Sequence, residues 1–482
     1  MTPIADAAVL TVAEMRAAEA RAFAGGDSPQ AMMRRAGEAC AHAIRRLSAG
    51  GEVLVLCGPG NNGGDGYVIA ATLAAFGHPV RVAALAEPRT DAARLARGAW
   101  QGTVESFATA EPAPVLVDAL FGIGLSRALD DATAARLERL SAAAHLTVAI
   151  DLPSGMDGDS GALLGCPYHA SITLALGALK PAHLLQPAAQ VCGALRLIEI
   201  GVEAGDRTCV VAPPRLPAPG PSSHKFNRGM VAIIKGRMAG AAELAASAAM
   251  HAGAGYVVLL GATIPAAPHA LVRRALSDEV LDDRRIGALV IGPGLGRDEA
   301  MRVLVERTLA CRHPLIIDGD ALHLVTPELI RARAEPVILT PHAGEFAALF
   351  GEGQGSKLDR ARDAAQAARA VVVFKGADTV IAAPDGRARL APAASNWLST
   401  AGSGDVLAGA IAARLAAGFD PLDAAAAGVW LHGEAARACG ALGRNETGRR
   451  IELVEIFGDR QRVPDLGAVV GEARHQEGWR QQ

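Results

Sequence analysis

The sequence predicts an α/β protein built as two doubly wound domains. Three observations carry that prediction. Short runs of β-branched and aliphatic residues alternate with alanine-rich helical text along most of the chain. Most of those runs lead into Gly, Asp, Pro, His or Lys. A proline-rich stretch, with five prolines between Pro213 and Pro221, interrupts the alternation near mid-chain. Continuous apolar strands separated by helices indicate parallel sheets covered on both faces. Ligands in such sheets bind beyond the carboxyl ends of the strands.

At 482 residues the chain exceeds one ordinary core, which sets an expectation of two domains. We place them at 1–211 and 224–482, with 212–223 as the linker, because so many prolines cannot continue a helix or a central strand. The hydrophobic fraction of 50% and charged fraction of 20% fit a soluble globular chain, and a net charge of −3 argues against a nucleic-acid or membrane partner that needs a basic field. Alanine and glycine richness reads as codon bias. The cysteines Cys40, Cys57, Cys166, Cys192, Cys209, Cys311 and Cys439 form no CxxC pair, which suggests free thiols in a reducing, cytoplasmic setting. The first basic residue, Arg16, is followed by no long apolar core, so a signal peptide is not expected. Leu244 to Val272 lacks charge, but Gly253, Gly255, Gly261, Pro265 and Pro268 break it; helix, strand and loop are expected there.

In the first half, "TVAEMRAAEARAFA" has helical spacing and is expected to serve packing or an oligomer contact, with a homo-oligomer as the expected state. The strands expected are "EVLVLCG", "PVRVAAL", "PVLVDALFG", "LTVAIDLPSG" and "ASITLALG". The first enters "GPGNNGGDG", where Gly58, Gly60 and Gly63 satisfy GxGxxG, a weak signal alone. The Asn61-Asn62 pair and the Gly63-Gly64-Asp65-Gly66 run exceed what a dinucleotide loop needs. Bare backbone there lets N–H groups approach an anion at a helix start, while Asn oxygens suit a cation or a ligand amide. The plain alternative is a tight turn with Asp65 as helix N-cap. Two further strands end in Asp118 and Asp151; the loops behind them carry Gly122 and Gly124, and Pro153, Ser154 and Gly155. Convergence of these ends at one sheet edge is expected.

Together "GPGNNGGDG", "DALFGIGLSRAL", "AIDLPSGMDGDSG" and "ALGALKPAH" resemble the NAD(P)H-hydrate epimerase family, the YjeF N-terminal domain, from about Thr11 to Ile200. That resemblance implies a Rossmann-like domain in which Asn62, Asp118 and Ser154 bind K+. It also implies that Asn61, Asn62, Gly63, Gly64, Asp65, Gly122, Ile123, Gly124, Leu125, Ser126, Arg127, Ala128 and Asp151 hold the hydrated nucleotide. The substrate bears a hydroxyl at C6 beside the ring nitrogen. That nitrogen can expel the hydroxyl, leaving an iminium that water re-enters from either face, with Asp151 as acid and then base.

In the second half the expected strands are "MVAIIKG", "GYVVLLG", "ALVIGPG", "PLIIDGD", "PVILTPH" and "AVVVFKG". The segment Thr400-Ala401-Gly402-Ser403-Gly404-Asp405 precedes a helix, where small residues leave backbone N–H groups free to cradle an anion. Asp405 is placed to take a proton from a hydroxyl as that oxygen meets phosphorus. The GxGD pattern is the signature of ribokinase-like kinases, and a ribokinase-like second domain is expected. The ordered set "GPGLG", "DGDAL", "LTPHAGEF", "KGADT" and "AGSGD" resembles the ADP/ATP-dependent NAD(P)H-hydrate dehydratases over about His224 to Leu442. By that resemblance His342, Gly294 or Gly296, and Ala241 meet the hydrate. Lys375, Gly376, Ala377, Asp378, Thr379 and Gly404 meet ADP or ATP, Mg2+ screens the phosphates, and Asp405 acts on the substrate. No HExxH or His/Cys cluster accompanies His342, so a metal-ligand role is rejected. Where the family has a Gly-Gly-Ser turn, this chain has Lys235-Gly236-Arg237.

The alternatives are a ribokinase-like kinase with a regulatory first domain, marked by a stable phosphorylated product, and a first domain that binds without turnover. The tail after Asn445 carries no motif and is assigned no function.

Overall fold

The computed structural model describes residues 1–261, 264 and 268–442; the tail after Asn445 lies outside them. Contacts divide the chain into two compact units. One comprises Met1–Val211, Gln354–Arg360 and Arg387–Ala393; the other begins with Ala212–Gly353 and Ala361–Gly386 and continues from Ala394. Composition gives no sign that the two short later segments group with the first unit. Residues 212–220 have no regular secondary structure.

The first unit carries β1 (Val53–Cys57), β2 (Val80–Ala84), β3 (Val104–Ser106), β4 (Val115–Ala119), β5 (Leu146–Ile150), β6 (Ile172–Leu176) and β7 (Ala194–Ile198). They form one sheet in the order β3-β2-β1-β4-β5-β6-β7, with every pairing parallel. Alternate residues of β1 show why its text is continuously apolar. Val53, Val55 and Cys57 enter one core with Met15, Met32 and Ile44, while Leu54 and Leu56 enter another with Leu116, Leu137 and Leu140. The strand order reverses between β1 and β4, which opens a crevice at their carboxyl ends. Strands β3 and β7 were absent from the sequence reading; both are edge strands, and their alternating, partly exposed text resembles a loop.

Further on lie β8 (Thr208–Val210), β9 (Met230–Ile234), β10 (Tyr256–Leu260), β11 (Val272–Arg274), β12 (Ile286–Ile291), β13 (Leu315–Ile317), β14 (Val337–Leu339), β15 (Val371–Phe374), β16 (Val380–Ala382) and β17 (Ala388–Leu390). Strands β8 and β17 both belong to the first unit and pair in parallel. In the second unit the order is β11-β10-β9-β12-β13-β14-β15-β16. The reversal here falls between β9 and β12. The pairings are parallel except β15 with β16, which is antiparallel. The strands expected from the sequence all pair in parallel, and β16 adds an antiparallel strand to them. Only Lys375–Thr379 connect β15 and β16, too few residues for a crossover helix.

Small residues have a structural use in this unit. A Cβ on Gly409 would stand 2.1 Å from the Ala245 carbonyl oxygen, so the helices Ser403–Ala416 and Ala239–His251 meet almost backbone to backbone. The uncharged stretch Leu244 to Val272 begins in the second of these helices and includes β10. No described helix is long and apolar enough to cross a membrane.

Candidate active sites

In the first unit, Gly58 ends β1 so close to the chain beyond β4 that a Cβ there would lie 1.8 Å from the Leu120 carbonyl oxygen. A Cβ on Gly63 would meet the Gly58 carbonyl oxygen at the same 1.8 Å. Only glycine permits this turn, which aims the helix Asn61–Ala75 at the crevice. Gly60 caps that helix without a side-chain bond, and Asp65 lies inside the helix, buried. The N-cap alternative for Asp65 is thereby excluded.

Asp118 is fully buried at the end of β4. Its carboxylate accepts from the Tyr168 hydroxyl (2.5 Å), the Ser154 N–H (2.9 Å), the Ser154 hydroxyl (2.7 Å) and the Leu120 N–H (3.1 Å). Burial raises its pKa against those four bonds. Asn62 has both side-chain polar atoms buried without a hydrogen-bond partner. A buried amide left unsatisfied costs about 1–3 kcal/mol, so Asn62 is shaped for something that binds there. A Cβ on Gly122 would lie 3.1 Å from Asp151 Oδ2 and 3.5 Å from Asn62 Oδ1, which brings all three together.

Asp151 follows β5 with φ +64°, strained for a residue with a Cβ. Several bonds hold it. Its Oδ1 accepts from Lys180 Nζ (2.5 Å) and the Leu176 N–H (3.2 Å). Its carbonyl accepts from His183 Nε2 (2.7 Å), because the Lys180 N–H occupies Nδ1 (2.9 Å). Burial, then the Lys180 charge, lowers the His183 pKa to about 4, so the ring is neutral near pH 7. Lys180 spends its other protons on the Leu176 and Ala178 carbonyls at 2.8 and 3.0 Å.

Asn62, Asp151 and Lys180 face a cavity of 570 Å³ lined also by Asn61, Asp65, Gly122, Ile123, Gly124 and Leu125, whereas Asp118, Ser154 and His183 are buried and outside its lining. Gly63 and Gly64 lie beneath it; a Cβ on Gly64 would strike the Met33 side chain at 2.6 Å. Ser126, Arg127 and Ala128 are exposed and outside the lining. The N-terminal helix Val12–Ala24 brings Met15, Arg16, Glu19 and Phe23 to the cavity wall. This corrects its reading as packing or oligomer contact alone. Its Thr11–Glu14 capping box gave no hint of that role.

In the second unit, Gly292 follows β12 with φ +124°, and a Cβ there would lie 1.7 Å from the Asp318 carbonyl oxygen. Ala241 is close beneath the same loop: a Cβ on Gly294 would meet its Cβ at 2.9 Å. Gly296 donates its N–H to Asp320 (2.9 Å). The Lys235-Gly236-Arg237 turn is fastened to this loop, since the Arg237 N–H donates to the Leu295 carbonyl (3.1 Å). Its side chain pairs with Asp298 at 3.0 Å.

Lys375, after β15, joins several candidate residues. Its Nζ donates to Asp318 Oδ1 (2.8 Å), which also accepts from Thr340 (2.6 Å), and lies 3.8 Å from Glu345. It would also be 3.4 Å from a Cβ on Gly404, at the start of the helix Ser403–Ala416. Burial pulls the Lys375 pKa down, but Asp318, Glu345 and Asp405 outweigh it, so the net shift is upward. Burial, then Asp318, raises the Asp405 pKa to about 6 against Lys375. His342 is exposed and caps the helix Ala343–Phe350 by accepting the Glu345 N–H at Nδ1 (3.2 Å). Thr379 closes the hairpin turn by donating to the Gly376 carbonyl (2.9 Å); Gly376 and Ala377 are exposed, and Asp378 is buried.

Comparison with known proteins agrees with both halves. The family described as YjeF-related protein N-terminus matches residues 29–182, and NAD(P)H-hydrate dehydratase matches 231–447. The bifunctional NAD(P)H-hydrate repair enzyme Nnr of Mycobacterium tuberculosis is 37% identical over 442 residues, covering 86% of this chain and 90% of its own. The chain belongs to the bifunctional NAD(P)H-hydrate repair enzymes. The Escherichia coli enzyme of the same name is 33% identical over 471 residues, covering 90% of this chain and 89% of its own. The ADP/ATP-dependent NAD(P)H-hydrate dehydratase of Bacillus subtilis, co-crystallised with ATP/Mg2+, is similar at 33% identity. It covers 51% of this chain and 92% of its own, with a TM-score of 0.43.

The sequence does not single out Lys180 and Glu19, which line the cavity, or Asp318, which holds Lys375. "ALGALKPAH" marked the neighbourhood of Lys180, and "DGDAL" that of Asp318. Nothing in "TVAEMRAAEARAFA" sets Glu19 apart from a surface helix glutamate.

Proposed function

We propose that the first unit interconverts the C6 epimers of hydrated NAD(P)H and that the second dehydrates the S epimer with ADP or ATP as phosphoryl donor. The observation that carries the epimerase half is the convergence of Asp151, Asn62 and Gly122 on one cavity. Asp151 Oδ2 is the oxygen left over from the Lys180 pair, and it serves as acid and base at C6. Asn61, Asp65 and the Gly122–Leu125 loop hold the nucleotide. Asn62, Asp118 and Ser154 would bind K+, which would supply fixed positive charge beside a buried carboxylate. The orphaned Asn62 amide fits such an ion. An asparagine, an aspartate and a serine offer oxygen donors, which suit an alkali ion better than zinc.

In the second unit Asp405 takes the proton of the C6 hydroxyl as that oxygen attacks phosphorus. Hydroxide leaves poorly and phosphate leaves well; the ring nitrogen then expels the phosphate. Lys375 sets positive charge at a helix tip that already favours anions. Mg2+ bound with the nucleotide would supply charge that screens its phosphates. Gly376–Thr379 and Gly404 border the nucleotide, and Ala241, Gly294, Gly296 and His342 border the hydrate.

The described cysteines are all unpaired and mostly buried, which suits a reducing cytoplasm. We extend the reading to a homo-oligomer, which sedimentation tests. The deciding assay gives purified protein both epimers and follows the absorbance of reduced cofactor with ADP, ATP or neither. Full recovery with nucleotide supports both activities, and recovery of only the S fraction removes the epimerase. A stable phosphorylated product would instead favour a kinase.

A further inference from the structure

Epimerisation at C6 needs proton exchange on both faces of the ring. The departing hydroxyl must gain a proton on one face, and the incoming water must lose one on the other. Asp151 is committed on one side: Lys180 and the Leu176 N–H engage Oδ1, leaving Oδ2. Lys180 has no proton to spare, since Asp151 and two carbonyls take all three. The cavity wall holds two further carboxylates, Glu19 on the N-terminal helix and Asp65 on the helix Asn61–Ala75.

We propose that Glu19, backed by Asp65, is the second proton-exchange group of the epimerase cavity, serving the face that Asp151 does not. The inference rests on the epimerase reading of this unit. Three carboxylates line the cavity with one ammonium group, Lys180; Arg16 and Arg89 line it from exposed positions. Such a set retains at least one proton near neutrality. Burial raises Glu19, with Asp151 adding and Lys180 and Arg16 opposing. Asp65 is pushed well above the usual carboxylate range by burial, then by Asp151 and Glu19, against Lys180. Asp65 is enclosed, whereas Glu19 is half-buried and can exchange its proton with solvent.

The step balances without an oxidant. Glu19 gives its proton to the C6 hydroxyl, the C–O bond breaks, and water leaves as the ring-nitrogen lone pair forms the iminium. A second water adds to C6 from the other face and gives its proton to Asp151 Oδ2. The opposite epimer uses the two groups in reverse.

The test measures interconversion of the R and S epimers of hydrated NADH by chromatography, without nucleotide, from pH 5 to 9. Glu19→Gln should lower kcat about 100-fold, within the usual range for a general acid, with KM held within about twofold by the same argument. Glu19→Asp should restore part of the rate. Wild type should lose activity on the alkaline side as Glu19 ionises, and Glu19→Gln should lack that limb. Unchanged nucleotide-driven dehydration by the variant reports an intact chain. Wild-type exchange with the alkaline limb retained, or a loss wholly in KM, overturns the proposal. Absence of exchange in wild type would instead sink the epimerase reading.

Discussion

Each unit ends a strand with a carboxylate paired to a lysine, and the two pairs are built to opposite purposes. In the first, Asp151 and Lys180 are both buried, and the lysine is saturated by one carboxylate and two carbonyls. Its charge goes into holding Asp151 in a left-handed backbone conformation beside the cavity. In the second, Lys375 pairs with Asp318 yet reaches the open start of the Ser403–Ala416 helix. There the ammonium and the helix N–H groups add where phosphate oxygens would lie. On the proposed function, a like ion pair serves as a clamp in one unit and as an anion receptor in the other. The difference lies in what surrounds the lysine nitrogen.

Several experiments would break or sharpen that contrast. The largest effect is expected from Asp405→Asn, which should cut nucleotide-driven cofactor recovery by about 10²–10⁴-fold while epimer exchange persists. Equal loss of both activities would show that the sites are not separate. Next, Lys180→Met strands Asp151 and two carbonyls in the core and should cost the first unit about 3–5 kcal/mol, read by calorimetry. Lys375→Met removes the ammonium beside buried Asp318 and Glu345 and should lower melting too, but it should also raise the KM for nucleotide, which Lys180→Met should not. If both variants behave alike, the clamp and receptor roles are not distinct.

A smaller effect follows from Gly58→Ala. With its Cβ 1.8 Å from a carbonyl oxygen, the turn must shift, at about 1–3 kcal/mol. Gly404→Ala, with 3.4 Å to Lys375 Nζ, should spare stability and impair nucleotide binding. The smallest effect is on pH. Asp405 must be ionised to accept a proton, and its pKa lies at about 6. Dehydration should therefore fall about twofold from pH 7 to pH 6 and about fivefold more from pH 6 to pH 5. A rate flat down to pH 5 would remove Asp405 as base.

Strand text, glycine turns and the carboxylates ending β4 and β5 were legible because each is a local property of a few neighbouring residues. The edge strands β3 and β7 were not, since partly exposed text three to five residues long resembles a loop. Asp405 could be read from GSGD, but Asp318, the partner of Lys375, could not be assigned from "DGDAL", where Asp320 looks equally suitable. In the structure Asp318 faces Lys375, while Asp320 takes the Gly296 N–H and Arg297.

By itself the sequence determined the two sheet-based domains, the places where each chain leaves a strand for a bare turn, and the family to which those turns belong. The first two follow from backbone sterics and periodicity, which need no partner; the family follows from the resemblance of the quoted motifs to known ones. The tertiary structure alone decided which charges meet. It brought Glu19 from the N-terminal helix to Asp65 and Lys180, left Asn62 without a partner, and turned one lysine inward and the other toward a helix tip. Coulomb energy and desolvation depend on distance and enclosure between residues far apart in the chain, and only folding sets those.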